Sequence, residues 1–120
     1  MTEYMILAYS AENAADMPEP GTPEFGAYMG EWMAYNQRLI DGGHWVSGAS
    51  LADTTTATTL ARQGGEDTIS DGPYAETKEQ LGGYYGVKAE SLDQAMELAA
   101  GLPIKEGYFE VRPVAFRPDA

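Results

Sequence analysis

The stretch Asp71-Gly72-Pro73-Tyr74-Ala75-Glu76-Thr77-Lys78-Glu79-Gln80 places three carboxylates and one lysine within ten residues. Carboxylates beside an amine can bind polar ligands or pass protons, so Glu76, Lys78 and Glu79 are candidates for both roles. In one helical turn Glu76 and Glu79 share a face while Lys78 points elsewhere; in an extended segment Glu76 aligns with Lys78. Either arrangement also admits a plainer reading, a solvated or intersubunit salt bridge. Asp71-Gly72-Pro73 reads first as a turn: Asp accepts hydrogen bonds from backbone amides two residues on, Gly takes a positive φ and Pro fixes the exit. Tyr74 adds an aromatic body with a polar tip, which suits a cleft wall, so Asp71 and Tyr74 join the ligand-binding candidates.

Other chemistry is thinner. His44, the single histidine, has the intrinsic pKa of a general base, and at a strand end it serves equally well in packing. Ser47, Ser50 and Ser70 lack a nucleophile-elbow pattern and a patterned base. One histidine with scattered carboxylates and no EF-hand spacing gives no metal-site signal, and nothing calls for a cofactor. Gly82, Gly83 and Gly86 sit in a strand-like run, so they do not make a phosphate loop. Tyr84 and Tyr85 alternate in that run, so one of the two looks into a cavity; Tyr85 is taken as that residue.

These residues need elements to hold them. Residues 3–9 form an apolar run of strand length in which Tyr4, Ile6 and Ala8 point one way and Met5, Leu7 and Tyr9 the other, which predicts a strand covered on both faces. Residues 10–21, with two prolines and no periodicity, predict a long loop near a cleft or rim. Thr22 before Pro23 predicts a helix start. Phe25, Met29, Trp32, Met33, Asn36, Leu39 and Ile40 supply its core stripe, and Gly42-Gly43 stop it.

Residues 44–52 predict a second strand, with Trp45, Ala49 and Leu51 on one face. Residues 56–63 predict a third, turning at Gly64-Gly65 into 67–70 as an appended hairpin arm. Residues 81–87 form a strand whose glycines predict a bulge or a close backbone approach. Ser91 and Gln94 open a second helix as a capping box, Gly101 and Pro103 end it, and 108–116 make a last strand that Pro113 marks as an edge.

Strand, helix, strands, helix, strand is the ferredoxin-like βαββαβ order of an α+β fold, here with an extra β-hairpin, in one domain spanning 1–120. Both helices then cover one sheet face. The apolar residues left on the other predict a second copy closing over it, a homodimer with a cleft beside the sheets. Seven Lys and Arg against nineteen Asp and Glu leave a net charge of -12, which repels nucleic acid and anionic lipid and leaves a basic protein as the partner the field would favour. No cysteine is present, and the N-terminal apolar run is too short for a signal peptide or a membrane span, so the expected location is the cytoplasm.

Taken in order, EYMILAY (3–9), GGHWVSGASL (42–51), DGPYAETKEQLGGYYGV (71–87), SLDQAMELA (91–99) and EVRPV (110–114) resemble the YCII-related family, and more narrowly its DGPF-motif branch, over nearly the whole chain. Tyr74 stands where that branch usually has phenylalanine, a change that adds a hydroxyl and keeps the ring. The resemblance implies a dimeric α+β barrel of ferredoxin-like units. Some members of the wider family carry a His and Asp pair proposed as catalytic; His44 does not match that position, and the pair is not carried over. Genes of this branch often lie beside those for extracytoplasmic-function sigma factors, which implies a regulatory protein partner as an alternative. Two functions are therefore expected: a homodimer that binds, and as an enzyme would act on, a small polar or aromatic molecule in a cleft, or a non-enzymatic sensor or accessory protein for transcription regulation.

Overall fold

In a computed structural model that describes residues 1–12 and 18–119, the chain opens on β1 (Thr2–Ser10), with Tyr4 and Ile6 buried and Met5 and Leu7, which alternate with them, half-buried. There follow α1 (Pro23–Asp41), β2 (Trp45–Ser50), a 3-10 turn at Thr54–Thr56, β3 (Thr58–Gln63), β4 (Glu66–Asp71), β5 (Gln80–Ala89), α2 (Leu92–Ala100) and β6 (Tyr108–Pro113). The main sheet runs β2-β5-β1-β6 with every pair antiparallel, and β3 and β4 form a separate two-stranded ribbon. This is the ferredoxin-like α+β arrangement with its inserted hairpin. Pro113 ends an edge strand, where its missing donor costs no ladder bond. Part of the loop expected over 10–21 lies outside the described residues.

Local chemistry accounts for the element ends. The Thr22 side chain accepts from the Phe25 amide at 3.1 Å, and Ser91 accepts from the Gln94 amide at 3.2 Å, so both helices begin on side-chain caps. The Gln94 amide oxygen accepts from the Glu90 amide rather than from the cap residue itself. Gly64 and Gly65 carry φ of 57° and 83°, the two positive values that a tight two-residue hairpin requires.

The core lies between one sheet face and the helices: Tyr4, Ile6, Val87 and Ala89 from the sheet, Tyr35 and Leu39 from α1, and Ala95, Ala99 and Leu102 from α2 and its exit. Burying side chains the size of Ile6, Leu39 and Val87 contributes about 1.5–3 kcal/mol each. The predicted α1 stripe is corrected here. Trp32, Tyr35 and Leu39 face the sheet, whereas Met29, Met33 (69 % exposed) and Ile40 face out. Each of these three follows a sheet-facing or partly buried residue by one position, a rotation of about 100° about the helix axis that carries it off the contact line. Tyr35 takes the core position because its hydroxyl finds the Leu98 carbonyl at 2.6 Å.

A bulge at Val46 corrects the second strand as well. It leaves Trp45 opposite Val87 on the helix side, 5.9 Å from the Tyr85 ring, while Ala49 lies opposite Tyr84 on the other face. A second bulge, at Gly82, interrupts the β1–β5 pairing. Met5, Leu7, Tyr9 and Tyr84 lie on the sheet face away from the helices. At the chain's end Arg117 holds both Glu3 oxygens at 3.0 Å and also pairs with Asp119, fastening the tail to β1. No helix among the described residues is long and apolar enough to cross a membrane.

Candidate functional site

The motif leaves β4 at Asp71, and Gly72, with φ of 97°, turns the chain away. The Gly72 amide donates to the Ala57 carbonyl at 2.8 Å and the Thr59 hydroxyl donates to the Gly72 carbonyl at 2.7 Å, so the turn closes the root of the ribbon. Residues 73–79 form neither the helical turn nor the strand weighed above. They make a compact irregular loop held from within. The Gln80 side-chain amide donates to the Ala75 and Thr77 carbonyls at 3.1 and 3.2 Å, and the Thr77 hydroxyl donates to the Glu79 carbonyl at 2.5 Å. Gln80 is the residue that sequence reasoning missed. A side chain with two N–H donors at the end of a carbonyl-rich loop was the available signal.

The facing wall comes from the chain between β2 and β3. Asp53 caps the Thr54–Thr56 turn, accepting from the Thr55 amide at 3.2 Å. The Glu12 carboxylate accepts from the Thr54 amide at 2.7 Å and from the Thr54 hydroxyl. Between the walls is an open hollow of about 560 Å³ lined by Glu12, Thr54 and Thr55 on one side and Gly72, Pro73, Glu76, Thr77, Lys78 and Gln80 on the other. A smaller recess of about 160 Å³ adjoins it, sharing Thr77 and Gln80 and adding Tyr9, Tyr74, Glu79 and Leu81.

The structure therefore brings four of the seven expected residues to the two hollows and leaves Asp71, Tyr85 and His44 outside them. Glu76 and Lys78 line the larger hollow, Glu79 and Tyr74 the smaller, and Asp71 stands at the ribbon root. Tyr74 is 91 % exposed. Tyr85 faces the helices: its hydroxyl donates to Asn36 at 2.5 Å, its ring stacks with Trp32 and meets Tyr35 and Trp45 edge-on, and burial raises its hydroxyl pKa above the ordinary tyrosine value. Tyr35 is raised further, by burial first and by Tyr85 second. His44 lies at the far end of β5, its Nδ1 2.7 Å from the Lys88 carbonyl. Lys88 is eight residues from Gln80, about 26 Å along an extended strand.

Among the described residues the ion pairs are Arg62–Asp67, Arg112–Glu110, Arg117–Glu3 and Arg117–Asp119, so none engages Glu76, Lys78 or Glu79. The hollow offers an ammonium group, carboxylates and threonine hydroxyls to a polar molecule, and the recess offers tyrosine rings. Its threonine hydroxyls have no histidine within a hydrogen bond to activate them.

A four-stranded antiparallel sheet under two helices, with a loop-built hollow at the root of an inserted hairpin, defines an α+β ferredoxin-like domain. Residues 2–116 match the YCII-related domain, and the chain belongs to that family. It is similar to an uncharacterised protein of Rhizobium meliloti (strain 1021), 36 % identical over 115 residues that span 93 % of this chain and 91 % of the relative.

Proposed function

We propose that the protein is a cytoplasmic homodimer that binds a small molecule carrying both a polar group and a ring, in the two adjoining hollows built by residues 72–81. Within the family, the DGP-aromatic-AETKEQ run supports the DGPF-motif branch. One observation carries the binding reading: a single stretch of chain forms the shared wall of a polar hollow and a tyrosine-lined recess, with Lys78 unpaired among the described residues. About 560 Å³ lies within the range of sites that take small ligands. Lys78 and the Thr55 hydroxyl would receive an acidic or hydroxylated group, the Thr54 and Thr77 hydroxyls already donating to Glu12 and to the Glu79 carbonyl, and Tyr74 and Tyr9 would flank a ring. The homodimer rests on the apolar sheet face that carries Met5, Leu7 and Tyr84.

Native mass spectrometry of the purified protein tests this reading. A retained small molecule, lost in Lys78→Ala and Tyr74→Ala variants of unchanged melting temperature, supports it; retention in both variants contradicts it.

A further inference from the structure

The two hollows carry an unequal set of charges. Lys78 is the one cation among their lining residues, set against the carboxylates of Glu12, Glu76 and Glu79. Glu12 is already engaged, accepting from the Thr54 amide and hydroxyl. Lys78 stands two residues from Glu76 and one from Glu79, yet no ion pair among the described residues joins it to either. The loop, held from within by Thr77 and Gln80, therefore presents one ammonium group and two carboxylates without a partner among the described residues.

Those charges disfavour a simple anion. Lys78 attracts a carboxylate, but Glu76 and Glu79 repel it nearby and the net charge of -12 repels it from further out. A simple cation is opposed by Lys78 instead. A ligand with one charge of each sign answers all three groups. Gln80, in the wall common to both hollows, adds an acceptor: its side-chain nitrogen donates to the Ala75 and Thr77 carbonyls, and its Oε1 accepts no bond among the described residues. Size sets the apolar part. The recess is about 160 Å³, and an apolar cavity of about 150 Å³ takes benzene, so a single ring fits beside Tyr9 and Tyr74.

We propose, resting on the binding reading of the preceding section, that the occupant is a zwitterion, an α-amino acid with a single aromatic ring. The ring enters the recess. Its carboxylate meets Lys78 and the Thr55 hydroxyl, and its ammonium group meets Glu76 and the Gln80 oxygen, with Glu79 adding its charge from the recess side. An exposed charge pair changes affinity by a factor of about 1.4–5, so an ammonium group set between two carboxylates is expected to raise it at least about threefold.

Amide NMR titrations of the full chain at neutral pH with phenylalanine and with phenylpropionate, its analogue lacking the amine, are the test. Phenylalanine is expected to shift residues 74–80 with an affinity at least about threefold higher. Glu76→Gln should weaken phenylalanine and leave phenylpropionate as tight or tighter, a divergence that a merely structural role for Glu76 would not produce. Affinities within about threefold of each other, or equal weakening of both ligands by Glu76→Gln, overturn the zwitterion and leave the binding reading standing. Saturation by neither probe overturns the zwitterion as well, and native mass spectrometry then decides the binding reading on its own. Should Glu76→Gln fail to fold, the ratio of the two affinities in the wild type decides.

Discussion

Gln80 organises the motif more than its charged neighbours do. Its two donated hydrogen bonds tie Ala75 and Thr77 to the start of β5, so Gln80→Ala is expected to cost about 1–2 kcal/mol in urea unfolding. Gln80→Glu, which sets a carboxylate against the same carbonyls, should cost more. Glu76 and Lys78 are exposed and form no ion pair among the described residues, so alanine at either should stay within about 0.5 kcal/mol of wild type. Losses as large as that for Gln80 would make them structural and remove them from the site. Asp119 offers a pH prediction. Arg117, by hydrogen bonding and then by charge, holds the Asp119 carboxyl below the usual carboxylate range. A lowered folded-state value means the contact is fully present above about pH 4 and is lost as pH falls through the lowered value. A carboxyl titration followed by NMR should place the Asp119 midpoint below that of a free aspartate, and Arg117→Ala should return it to the ordinary range.

Among the elements, β5 carries the most weight, because one strand supplies Gln80 to the site at its start, Tyr85 to the aromatic cluster at its middle and Val87 and Ala89 to the core at its end. Tyr85→Phe removes the bond to a half-buried Asn36 and is expected to destabilise by about 1 kcal/mol without opening either hollow, since Tyr85 lines neither. Unchanged stability would mean that water replaces the bond. The order of elements was legible in the sequence because caps and turns are local: Thr22, Ser91 and Gly64-Gly65 each satisfy a requirement within a few residues. Which apolar residues are core was less legible. Tyr28, Met29, Trp32 and Met33 look equivalent along the chain, and only contact with the sheet divides them. The Val46 bulge had the same effect on Trp45, moving it to the helix side against the alternation of its strand. For the site, the turn at Asp71-Gly72 and the gathering of Glu76, Lys78, Glu79 and Tyr74 could be read in advance. Glu12 and Thr54, 42 residues apart, could not, because their meeting depends on how β1 and β2 end.

The whole molecule is a thin acidic plate, one sheet and one helix layer with a separate two-stranded ribbon. Two such plates at -12 each repel at long range, and salt screens that repulsion over about 8 Å at physiological ionic strength. In the proposed homodimer, association is therefore expected to tighten as salt rises from low to physiological levels, as sedimentation at two salt concentrations would show; weakening with salt would mean that ion pairs, not apolar surface, hold the copies together. The central claim is that residues 72–81 form a ligand site. Amide NMR shifts measured while titrating in small aromatic carboxylates test it most directly. The account predicts saturable shifts concentrated on Thr77, Lys78, Gln80 and Thr54, lost in Lys78→Ala. Saturable shifts gathered elsewhere, or unaltered by Lys78→Ala, would contradict it.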